Sequence, residues 1–250
     1  MGVCDFELLN SFTLESAKKA LRQYTGGRGS WSSQYDIYFN STQVLANPGD
    51  RLVKLLDIVR LDGWGMNRKG QCTHIISAIG SGKISNKELE YFWRTVYSLP
   101  DVTLRDLPDV NCTILTRIEG SFDEIRKVLG GWQSSAGTLC FLTKVILMFN
   151  WGQSPAFDTR IRSVLKVNNL VGNKDLVRAL VEIGVWIRNF ESRNGILLDN
   201  LATKEMMKQK NTNSLSPLPL GRSFDMMLFP LDEKKKGKNH TSGNCIRAKQ

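Results

Sequence analysis

The chain has 250 residues, 41% of them hydrophobic, with six Trp and a formal net charge of +10. That apolar content excludes a disordered protein and suffices for a real core, while the longest apolar run, about twelve residues with a Lys inside it, is too short to span a bilayer. Five widely scattered Cys favour reduced thiols over a disulfide framework, so a cytoplasmic protein is expected.

Helix signals dominate in chain order. Met1–Asn10 shows no basic segment followed by an apolar one, and no secretory leader is expected. Thr13 is the candidate N-cap of a helix through "TLESAKKALRQYTGG", which Gly26 and Gly27 stop. Gln34–Leu45 alternates and is aromatic and β-branched, the pattern of a short hairpin. A helix from about Asp50 to Leu61 follows, closed by Gly63 and Gly65. Ser85 and Glu88 make a capping box for a helix that ends before Pro100, and Ser121 with Glu124 repeats the device, with Gly130 and Gly131 as its stop.

Beyond the polar turn "WQSSAG" (132–137), a buried helix is expected from about Gly137 to Phe149. Asp158 then caps a short helix over Thr159–Lys166. Leu176, Leu180, Ile183 and Ile187 form one stripe of a long helix from about Asn173 to Glu191. Gly27–Ser33, Lys204–Pro217 and the tail after Pro230 read as the least ordered segments, although Leu220–Leu231 is apolar enough to dock back as a helix. The fold class is therefore mainly α, with at most a small β-hairpin near the N-terminus. The expected organisation is one helical domain over residues 1–230, with a sub-boundary near 100–120, followed by a basic disordered tail over 231–250.

A positive field of this size draws polyanions, of which nucleic acid is the commonest. The stretch Leu231–Gln250 holds five Lys, one Arg and two acids, a net +4 of the total, so the body retains a moderate +6. Several motifs fail. "AIGSGKIS" lacks the phosphate-loop pattern because Ser77 stands where its first glycine belongs. Cys72 and His74 have no second pair at zinc spacing, and with two His in all, a nucleophilic triad would rest on His74 alone. No metal or cofactor is expected.

The pair that remains is Lys144 and Asp158. Lys144 interrupts the apolar run Thr138–Phe149, where it loses hydration and becomes a candidate nucleophilic amine. Asp158 stands at the mouth of a helix that carries Arg160 and Arg162. The two helices around "WQSSAG" have a helix–hairpin–helix shape, and the N-terminus of the second offers free N–H groups to a phosphate.

"PAFDTRIRSVL" resembles the phrase "P-V-D-T-x-V-R-R-V-L" of the hairpin glycosylases of base-excision DNA repair, matching at Pro155, Asp158, Thr159, Arg162 and Leu165. More loosely, "TKVILMF" (143–149) with Asp158 is similar to bacterial helical proteins that carry "S-K-h-L-h-F" (h apolar) and an Asp about fourteen residues later, the spacing of Lys144 and Asp158. The likeness covers Ser121–Leu165. It departs at the hairpin, where Gln133 replaces the second glycine and Ser135 falls near the expected lysine.

The resemblance implies a DNA partner held by non-specific phosphate contacts, and N-glycosylase or lyase chemistry. Lys144 would be the amine, and Asp158, held ionised at a helix N-terminus, would stabilise the cationic sugar. The nucleic-acid contacts would be Trp132, Gln133, Ser134, Ser135 and Trp151 about the hairpin, where an aromatic ring stacks or wedges beside a flipped base. Arg160, Arg162 and Lys166 would reach phosphates. The rival reading is a non-catalytic helical interaction protein of a phage-defence or mobile-element type, in which the same residues are caps and core.

Overall fold

A computed structural model describes residues 3–26, 71–132, 139–149, 153–157, 159–167, 172–210 and 218–239. The hairpin expected over Gln34–Leu45 and the helix expected over Asp50–Leu61 lie outside the described residues. Within them the chain forms helices and no strand. The first are α1 (Glu7–Asn10), α2 (Leu14–Gly26), α3 (Gln71–Gly80), α4 (Asn86–Tyr97) and α5 (Cys112–Trp132). Then come α6 (Leu139–Phe149), α7 (Thr159–Val164), α8 (Asn173–Asn194), α9 (Leu198–Lys210) and α10 (Leu220–Asn239). The fold is mainly α, as the helix signals predict.

Short polar side chains set several of the helix ends. The Ser16 N–H donates to Thr13 Oγ1 at 3.2 Å and opens α2. At α4 the capping box is complete: Ser85 N–H donates to the Glu88 carboxylate at 2.8 Å, and Glu88 N–H returns to Ser85 Oγ at 3.3 Å. Both bonds satisfy donors that a bare helix end leaves open. Gly195 closes α8 at φ 62°, a left-handed geometry that glycine adopts without steric cost.

Elsewhere tertiary packing overrides the local signal. Ser121 caps nothing. It lies inside α5, whose first turn is held instead by Asn111, its Oδ1 accepting from Ile114 N–H at 3.0 Å. The reason is a continuous buried stripe, Ile118, Phe122, Ile125 and Leu129, whose burial keeps the helix intact through Gly120 and on to Trp132. Lys204–Lys210, expected to be loosely ordered, belongs to α9, where Glu205 and Met206 are buried and Arg22 of α2 pairs with Glu205 at 2.5 Å. Leu220–Leu231 does dock back as a helix, and its backbone continues past Pro230 to Asn239.

Two helices organise the packing. α5 touches α3, α4, α6 and α8, while α10 touches α2, α7 and α9. One hydrophobic core runs through both groups, and each fully buried Leu, Ile or Phe in it contributes about 1.5–3 kcal/mol. The predicted stripe of α8 (Leu176, Leu180, Ile183, Ile187) is wholly buried. α8 also bridges the groups, because Trp186 meets Phe224 of α10 edge-on with ring centroids 5.8 Å apart. At Gly184 the Leu104 carbonyl and Pro108 occupy the space a Cβ would need, so α8 can close on the 104–109 segment only with glycine there. Arg105 holds that segment by two bonds to Glu191, at 2.8 and 2.7 Å, while Glu191 also accepts Leu198 N–H at 2.9 Å.

Candidate functional site

α6 is apolar nearly all round, which predicts a helix enclosed on every side. Leu142, Val145, Ile146 and Leu147 are buried, and so are its two polar residues, Thr143 at 2% and Lys144 at 4% exposure. The lysine therefore sits in the dehydrated setting its sequence context implies, rather than reaching out along the surface. Thr143 has a defined task. Its Oγ1 accepts the Phe157 N–H at 2.9 Å, a wholly buried bond.

The loop that this bond secures is pinned from a second side. Ala156 N–H donates to Asp225 Oδ2 of α10 at 3.1 Å. At Gly221 the backbone of Gln153 and Ser154 lies where a Cβ would be, so α10 rests directly on the loop. Phe157 itself is fully buried. The residue before Asp158 is thus fastened to the residue before Lys144. Asp158, Gln133, Ser134, Ser135 and Trp151 lie outside the described residues, and of Trp132 only its place at the end of α5 is described.

The cations of the next helix have varied surroundings. Arg160 in α7 places its guanidinium carbon 4.1 Å from the centroid of the Phe229 ring, a cation–π contact with α10. Arg162 is half-buried, and its Nε lies out of solvent with no acceptor among the described residues. Lys166 stands just past α7 at φ 53°, with Val167 N–H closing on the Arg162 carbonyl at 2.9 Å. Glycine is the usual occupant of such a position. The Lys166 ammonium bridges Asp5 at 2.6 Å and Glu7 at 3.2 Å, and these bonds, Asp5 first, hold it above its ordinary pKa.

The structure thus gathers the Lys144 segment, the approach to Asp158 and the two arginines of α7, and it commits Lys166 to the N-terminal acids. Sequence reading missed Thr143, Asp225 and Phe229. Thr143 carried a signal, being the other polar residue in the interior of an apolar helix. Among the described residues no group of three or more His, Cys, Asp or Glu is placed to hold a metal ion, and no helix is long and apolar enough to cross a membrane. Compared with protein-family models, with curated proteins and with solved structures, the chain matches none.

Proposed function

We propose that the chain binds duplex DNA and releases a base from it, in the manner of the hairpin glycosylases, with Lys144 as the amine and Asp158 as the carboxylate. The observation that carries this reading is the buried bond from Phe157 N–H to Thr143 Oγ1. Through it the chain holds the immediate predecessors of both residues together, fourteen positions apart, where little water competes. The net charge of +10 supplies the attraction to a polyanion.

In the reaction, Lys144 Nζ forms a bond to C1′ of the sugar as the bond from C1′ to the base nitrogen breaks. The base departs with the bonding pair and takes up the proton that the lysine nitrogen sheds. The negative charge of Asp158 offsets the positive charge that develops on the sugar. Ring opening then leaves a Schiff base, which borohydride reduces to a stable adduct.

One observation favours the rival reading of a non-catalytic helical interaction protein. Arg160 already faces an aromatic ring, and Lys166 already pairs with two carboxylates. The experiment separates the two. Duplex binding is followed by fluorescence anisotropy across a salt series, and the protein is incubated with abasic and damaged duplexes with and without borohydride. DNA binding predicts affinity that falls steeply with salt. The chemistry predicts a trapped adduct in the wild type and none in Lys144→Gln. Salt-independent affinity refutes the DNA reading, and the absence of both adduct and base release refutes the chemistry.

A further inference from the structure

Between α4, α5, α6 and α8 lies a cavity of about 280 Å³, closed on one side by the pinned Gln153–Ser154 loop. Its inner wall is apolar, with Phe122, Ile146, Val177 and Leu180 all buried. Its mouth is open to solvent at Asp101 and half-buried at Pro100, Val102 and Gln153, the form of a concave, mostly apolar ligand site with a few polar groups at its edge. The wall is also built rather than loose. Ile146 belongs to the enclosed helix α6, Leu180 to the buried stripe of α8, and the 153–154 backbone rests on Gly221.

Three polar residues, Asp101, Gln153 and Ser154, complete the lining. Asp101 is exposed, Gln153 is half-buried, and neither side chain makes a hydrogen bond or ion pair with any described residue. An ionised carboxylate only accepts hydrogen bonds, so it selects a cationic or donor group. The net positive charge of the chain opposes a cation at long range. Salt screens that field over about 8 Å at physiological ionic strength, whereas a carboxylate in direct contact is screened much less. Local chemistry therefore decides the ligand.

We propose that this cavity binds a small organic amine with an apolar body of ring size. Its ammonium pairs with Asp101, its body seats against Phe122, Ile146 and Leu180, and the Gln153 amide serves a second polar atom. Lys144 does not line this cavity, and the proposal does not depend on the DNA reading.

Tryptamine is a suitable probe, with indole-3-propionate as its anionic counterpart, each titrated calorimetrically into the full chain near neutral pH and 0.15 M salt. One saturable tryptamine site is expected, with indole-3-propionate at least about tenfold weaker, since it meets Asp101 with a like charge. Asp101→Asn, an exposed change that leaves the core alone, should weaken tryptamine by up to about fivefold, the upper end of the range for an exposed ion pair. Val177→Phe should fill the cavity and abolish binding. If that variant does not fold, the Asp101→Asn ratio and the probe-charge ratio decide alone. The proposal is overturned if tryptamine shows no saturable binding up to about 10 mM, a ceiling far above what a ligand of this size needs in a formed pocket. It is equally overturned if the anion binds as well as the amine, or if Asp101→Asn, or a folded Val177→Phe, leaves the affinity unchanged.

Discussion

Thr143→Val tests the bond on which the candidate site is built. The change removes one hydroxyl, keeps the side-chain volume nearly constant, and leaves the Phe157 N–H buried with no acceptor. A stranded buried donor costs about 1–3 kcal/mol, and the added methyl regains at most about 0.8 kcal/mol. The net loss should lie between about 0.2 and 3 kcal/mol, most simply about 1.5 kcal/mol or roughly 3–6 °C of melting temperature for a chain of this size. Urea unfolding followed by circular dichroism gives the energy, and amide hydrogen exchange at Phe157 gives the cause. Thr143→Ser is the control. It loses a methyl and some packing but retains the acceptor, so it should keep the Phe157 amide protected and the borohydride adduct intact. In Thr143→Val the amide should exchange early and the adduct should fall. A Val variant with wild-type stability and a protected Phe157 amide would show that the hydroxyl does not anchor the loop and does not tie Lys144 to Asp158.

Asp158→Asn keeps a good N-cap residue, so unfolding should move by well under about 1 kcal/mol, while base release falls and duplex affinity holds or rises; equal activity in both proteins would remove the carboxylate from the chemistry. Arg162→Ala should lower the salt slope of DNA binding by about one unit if the guanidinium contacts one phosphate, and an unchanged slope in anisotropy titrations would strike it from the interface. Lys166→Gly should raise the melting temperature by about 2–4 °C, because relief of the left-handed backbone outweighs two exposed ion pairs; a lower value by calorimetry would show that Asp5 and Glu7 matter more than the backbone. Burial, and then the Glu182 carboxylate, push the Cys4 thiol up to about 12, whereas Cys112 is exposed. Iodoacetamide at pH 8 should therefore alkylate Cys112 well before Cys4, as peptide mass mapping would record, and early loss of Cys4 would contradict its burial.

What was legible in the sequence was whatever a few neighbouring residues decide among themselves. The Ser85–Glu88 box and the Thr13 cap follow from short side chains three positions from the donors they satisfy, and the α8 stripe follows from period alone. Ser121 with Glu124 presented the same local pattern and failed, because the stripe that keeps α5 whole begins before it, at Ile118. The burial of Lys144 was legible for the same reason as the stripe, since the apolar run around it leaves no exposed face. Its surroundings were not. Asp225 reaches Ala156 across 69 residues, and Asp5 reaches Lys166 across 161. No periodicity encodes such pairings; they exist only once α10 and the N-terminal segment have docked.

The partnership of α2 with α10 has a consequence for how the protein is made. Tyr24 and Arg222 share a hydrogen bond across 198 residues, and α2 also packs along α10. At a synthesis rate of roughly 5–20 residues per second, α2 waits about 10–40 s for the helix that covers it. Throughout that interval Tyr24 stands without Phe229 and Arg222, which meet it in the finished fold, and contacts this distant in sequence also form slowly once both ends exist. A chain that ends before Leu220 should therefore leave one side of α2 uncovered and aggregate, rather than fold into a smaller working protein.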